Sequence, residues 1–149
     1  MCLKKKQDFL IILLHFLIIC FNIRKKGVLM KVFVYFNLHK KCWSIKALSG
    51  EHKGKVIGHS NYVELENCIM KVSESGRQRV IREKQKNVHA GVVGWLVSKD
   101  IELKCNNKQI TYNPYRFSSF VDKTTLEPVF ESSKAFMIKG MEGIKVCVA

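Results

Sequence analysis

Three segments of the chain concentrate polar groups suited to an anion. The first is Asn37-Leu38-His39-Lys40-Lys41, the second runs through Arg77, Arg79, Arg82, Lys84, Lys86, Asn87 and His89, and the third is Asn113-Pro114-Tyr115-Arg116. Arginine forks match phosphate oxygens bidentately with charge-assisted hydrogen bonds. Asn87 and His89 could hydrogen-bond a base edge or a ribose hydroxyl, and Tyr115 could stack on a purine. If the second segment is helical, Arg79, Arg82 and Lys86 fall at i, i+3 and i+7 on one face. The candidate ligand-binding set is therefore His39, Lys40, Arg77, Arg79, Arg82, Lys86, Asn87, His89, Tyr115 and Arg116. A plainer reading stands beside it. The same cations can form a solvated helix face, His39 and His89 can be structural histidines, Pro114-Tyr115 a simple turn, and Trp43 and Trp95 core residues.

Other chemistries find little support. No pair of carboxylates stands out for acid–base work, and no G-x-S-x-G, H-E-x-x-H or phosphate-cradling glycine loop is present. The six cysteines, Cys2, Cys20, Cys42, Cys68, Cys105 and Cys147, form no C-x-x-C and have no histidine at zinc-finger spacing. Cys42, Cys68, Cys105 and Cys147 sit in strand-like apolar contexts, where free cysteine behaves as a small hydrophobe and suits a reducing compartment. A Cys–His nucleophile pair, which would meet in space rather than in sequence, is the one catalytic arrangement left open. The expectation is a binder with no catalytic residues, no metal and no cofactor.

The positions that carry these groups belong to a chain of 149 residues with 26 Lys+Arg against 12 Asp+Glu, a net charge of +14. That length fits one domain, and 47 % apolar residues exclude a disordered polycation. A charge of this size points to an anionic partner: nucleic acid, nucleotide phosphates or anionic lipid.

Residues 1–29 differ from the rest. Lys4, Lys5 and Lys6 precede an apolar run over 9–23, and Arg24, Lys25 and Lys26 follow it. As a helix, that run would reach roughly 22 Å, short of the ~30 Å hydrocarbon core. It reads as an upstream extension, a membrane anchor or a signal-like segment, although no small-x-small cleavage site follows. Its six basic residues against Asp8 contribute +5, so residues 30–149, read as a single globular domain, still carry +9 of the +14.

Period-two alternation dominates that domain. Strands are expected at 31–36, 42–48, 55–59, 62–66, 68–72, 88–97, 101–105, 109–112, 135–139 and 144–148, with a glycine-bracketed turn over 49–54. Gly91 and Gly94 within one strand imply a bulge or a close backbone approach. Residues 74–86 are rich in helix formers, with Ser73 as N-cap and Asn87 as the stop; a basic hairpin arm is the alternative there. A short helical turn is expected over 117–123. The fold class is α+β, mainly β: an antiparallel sheet or open barrel with one basic helix, plus the N-terminal apolar segment.

Asn37-Leu38-His39-Lys40 with Trp43-Ser44, Gly76-Arg77-x-Arg79-Val80, Arg82-Glu83-Lys84-x-Lys86-Asn87-Val88-His89-Ala90 and Tyr112-Asn113-Pro114-Tyr115-Arg116 together resemble a group of small phage and prophage proteins. The pattern is also similar to the first Thoeris anti-defence family, which sequesters cyclic ADP-ribose-type signals. That resemblance implies stoichiometric capture of a nucleotide signal by a homo-oligomer in the host cytoplasm. Arginines would neutralise a diphosphate and Asn87 would fix a ribose or base edge. The alternative is a DNA- or RNA-binding phage accessory protein. Membrane contact is expected only if residues 9–23 form a real anchor.

Overall fold

The computed structural model describes Leu14 and residues 30–97, 107–138 and 144–147. The apolar run over 9–23, apart from Leu14, and the strand expected at 101–105 lie outside them. Among the described residues the chain forms strands β1 (Lys31–Asn37), β2 (Cys42–Ala47), β3 (Val56–Ser60) and β4 (Tyr62–Val72), then helix α1 (Glu74–Glu83). Strands β5 (Ala90–Leu96), β6 (Asn107–Thr111), β7 (Val121–Asp122), β8 (Glu131–Ile138) and β9 (Ile144–Cys147) follow. They make one sheet in the order β3-β2-β1-β5-β4-β8-β9-β6-β7, and every pairing is antiparallel. The fold is α+β and mainly β, with an open sheet rather than a closed barrel.

Alternation along each strand sends one set of side chains to a common core. Val32 and Val34 of β1, Ile45 of β2, Leu65 of β4 and Val92 of β5 pack in one cluster with Ile110 of β6, Met137 of β8 and Val146 of β9. All eight are 0–1 % exposed. Each such side chain contributes roughly 1.5–3 kcal/mol by leaving water. Trp43 joins this core as expected, whereas Trp95 does not: it lies partly exposed on the other face.

The two strands expected either side of Asn67 are one strand with a bulge. Glu66 pairs with Trp95 and Ile69 with Val93, so Asn67 and Cys68 together oppose Gly94. Asn67 takes a left-handed conformation, φ 49°, which asparagine tolerates better than most residues. A Cβ at Gly94 would stand 3.1 Å from the Glu66 carbonyl oxygen, so the glycine marks a close backbone approach, as its position implied.

Residues 74–83 are helical, which excludes the hairpin arm. The Ser73 side chain accepts from the Gly76 amide as N-cap, and Glu74 lies in the positive first turn. The helix stops earlier than expected because Lys84, not Asn87, adopts the left-handed capping conformation. Lys86 therefore lies beyond the helix, and no single face carries Arg79, Arg82 and Lys86. The helical turn expected over 117–123 is absent; that stretch ends in β7, where Val121 and Asp122 pair with β6. Nor is Cys147 a free thiol. It is disulfide-bonded, while Cys42 and Cys68 are free.

Candidate functional site

Three chain segments meet at one end of the sheet. The β1–β5 register places Val34 opposite Val92, and the β4–β5 register places Val72 opposite Ala90. The end of β1, the start of β5 and the passage from β4 into α1 thus lie together. The Ser73 amide donates to the His89 carbonyl at 2.7 Å, closing this end. Gly76 is required there, because a Cβ on it would fall 2.7 Å from the His89 Cβ.

Arg77 ties the third sequence segment to the helix. Its Nε donates to the carbonyls of Pro114 and Phe117, both at 3.0 Å, and its Nη1 to Glu74 Oε1 at 2.8 Å. The side chain is only 15 % exposed. Within the bound turn, Asn113 Oδ1 accepts from the Tyr115 amide and the Asn113 carbonyl accepts from the Arg116 and Phe117 amides. Gln78 also donates to Glu74 Oε1; this bond, then Arg77, holds the Glu74 carboxyl below its ordinary pKa.

His89 is likewise engaged. A backbone carbonyl can only accept, so His89 Nδ1–H donates to the Asn87 carbonyl at 2.9 Å. Nε2 then accepts from the Tyr112 hydroxyl at 2.8 Å. Burial pushes the Tyr112 phenol up to about 12, so it stays protonated and able to donate. Its ring packs against Phe120, and Asn87 Oδ1 accepts from the Val88 amide.

The candidate set therefore divides. Arg77, Asn87 and His89 hold the scaffold, whereas Arg79, Arg82, Lys86, Tyr115 and Arg116 are exposed around it, along with Lys84. Arg82 approaches Glu83 at 3.5 Å with both side chains exposed, a pairing worth little. The remaining two candidates, His39 and Lys40, lie on the β1–β2 turn, where their amides both donate to Asn37 Oδ1.

Lys40 belongs to a network that the sequence did not reveal. Its Nζ donates to His59 Nε2 at 3.1 Å. An ammonium has no acceptor, so His59 carries its proton on Nδ1 and donates to Ser44 Oγ at 2.8 Å. Asn37 Nδ2 donates to the same oxygen at 3.1 Å. Burial, and then the Lys40 charge, lower the pKa of His59. Ser44 is 0 % exposed, and its bonds to His59 and Asn37 brace β2 against β3 and the β1–β2 turn. The signal that could have found it is register: in a β2–β3 hairpin Ser44 faces His59, yet the irregularity between Ile45 and Lys46 hides that pairing from simple counting.

Residues 26–144 match the family model of the Mycobacterium phage L5 gene 82 protein. This chain belongs to that family. The gene 82 protein of Mycobacterium phage L5 is 39 % identical over 114 residues, which cover 72 % of this chain and 90 % of the relative. No solved structure matches the chain significantly. The region shared with this phage family contains all the candidate ligand-binding residues, from His39 to Arg116. Among the described residues no group of three or more His, Cys, Asp or Glu could hold a metal, and no helix is long and apolar enough to cross a membrane.

Proposed function

We propose that this phage protein binds nucleic acid through the basic end of its sheet and acts by binding, not by catalysis. The display of its cations carries the reading. Arg77 is turned inward and used in holding the 113–117 turn, while Arg79, Arg82, Lys84, Lys86 and Arg116 stand exposed on the elements it fixes. Cations spread over a surface suit a polyanion, whose phosphates are met one by one with release of counterions. Anisotropy titration of a labelled oligonucleotide tests this. Binding should weaken steeply as salt rises, and absent or salt-insensitive binding overturns it.

A second reading, capture of a nucleotide signal, is favoured by the pinned turn. Arg77 fixes residues 113–117 so that the Tyr115 ring, 59 % exposed, stands next to Arg116. A ring for stacking and a guanidinium for a diphosphate match the ligand type that the resemblance to the signal-sequestering anti-defence family implies. Calorimetry with cyclic ADP-ribose isomers and cyclic oligonucleotides discriminates the readings. Heat from these, lost in Tyr115→Ala, with none from linear oligonucleotides replaces the first reading by the second.

A further inference from the structure

The sheet face turned away from the core is aromatic where β1 and β5 pair. Phe33 and Tyr35 project from β1 with ring centroids 5.8 Å apart. Val93 and Trp95 project from β5, Phe33 lying opposite Val93 and Lys31 opposite Trp95. None of these four belongs to the core cluster, and each is partly exposed. Gly91 shares this face. A Cβ on it would fall 2.6 Å from the Phe33 ring, so the missing side chain is what lets that ring lie against β5.

Charge frames the aromatic strip. Lys46 of β2 stands opposite Phe33, Lys31 opposite Trp95 and Lys71 of β4 opposite Gly91. Among the described residues, the acids on this face lie on β4 and β8: Glu66 opposite Trp95, Glu64 two residues before Glu66 and 7 % exposed, and Glu131 opposite Ile69. The strip also runs into the basic end, since Tyr35 pairs with Ser44 and Ser44 with His59, the partner of Lys40. An occupant must therefore be planar and apolar where it meets the rings and anionic where it meets the lysines. Unpaired nucleotides combine both properties, whereas a duplex hides the faces of its bases inside the stack.

We infer that unpaired bases of a single-stranded nucleic acid stack on Phe33, Tyr35 and Trp95 while Lys31, Lys46 and Lys71 meet the phosphates. This deepens the nucleic-acid reading and rests on it. Sheet aromatics of this kind stack two or three bases in other binding modules.

The test compares labelled oligothymidylate, oligouridylate and a DNA duplex of equal length on the full chain, with anisotropy and tryptophan fluorescence read together. Trp43 is shielded in the core, so quenching reports Trp95. Single strands should bind more tightly than duplex and quench the fluorescence. Tyr35→Leu and Trp95→Leu should each weaken single-strand binding about fivefold or more and leave duplex binding unchanged. Quenching in the unsubstituted protein decides the matter should either variant fail to fold. Preference between the two single strands assigns the face to DNA or RNA. Equal affinity for duplex, with no quenching, overturns the stacking face and leaves nucleic-acid binding standing. No binding of any of the three overturns both.

Discussion

Gly76 in the first turn of α1 lies so close to the start of β5 that a Cβ on it would stand 2.7 Å from the His89 Cβ. Helix propensity alone makes this glycine a defect of about 1 kcal/mol relative to alanine. The packing reverses that judgement, because the opposing atom is a Cβ and cannot swing aside. Gly76→Ala is expected to destabilise the protein by about 1–3 kcal/mol, the usual range for overpacking, as measured by urea denaturation. A stabilised variant would show that the helix can lift off β5 freely.

Arg77 and Arg79 are two residues apart in sequence and opposite in role. Arg77 donates to two carbonyls and a carboxylate while only 15 % exposed; Arg79 is exposed. Hydrogen bonds from a charged donor are worth about 1.5–3 kcal/mol, and a lysine has no planar fork to replace them. Arg77→Lys should therefore lower stability by about 2 kcal/mol or more, while Arg79→Ala stays within about 0.5 kcal/mol. In oligonucleotide binding the order reverses, with Arg79→Ala the variant that reduces the salt dependence by about one phosphate contact.

The contrast marks what sequence can carry. Alternation at Val32 and Val34, the Ser73 cap and the close approach at Gly94 are local signals, and each was legible. What Arg77 does was not, because its partners at Pro114 and Phe117 lie far along the chain and backbone carbonyls leave no trace in residue type. Spacing counted Arg79, Arg82 and Lys86 onto one face only by assuming the helix continued. Lys84 ends it by adopting a conformation that its side chain does not announce. Phe33, Tyr35 and Trp95 were equally obscure. Only the register that places β1 beside β5 shows that they share a face.

At the bulge in β4 the left-handed Asn67 is answered by Gly94 across the pair. Glycine adopts this conformation without steric cost, and a β-branched residue does so poorly. Asn67→Gly should change stability little, whereas Asn67→Val should cost about 1–2 kcal/mol. A harmless valine would mean that the bulge is not fixed at this residue.

Cys68 and Cys42 are both free thiols but differ in surroundings. Cys68 is 2 % exposed in the core, and burial pushes its thiol up to about 12, so almost no thiolate forms at neutral pH. Alkylation of the native protein followed by peptide mass spectrometry should label Cys42 while Cys68 stays unmodified until denaturant is added. Early labelling of Cys68 would show that β4 opens from the core on that timescale.

The link from Lys40 through His59 to Ser44 ties stability to pH in a defined direction. His59 is neutral in the folded state, with its pKa lowered from 6.5 by burial and by Lys40. Below pH 6.5 the unfolded chain therefore binds a proton that the folded chain resists, and stability falls as pH drops. The loss begins near the unfolded value and is complete once pH lies below the folded one. A protonated Nε2 can no longer accept from Lys40, so the turn over 38–41 should loosen in the same window. NMR titration should place the His59 midpoint below 6.5, and His59→Gln should flatten the stability profile below that pH. A His59 midpoint at or above 6.5 would mean that the ring is neither buried against Ser44 nor faced by Lys40 in solution.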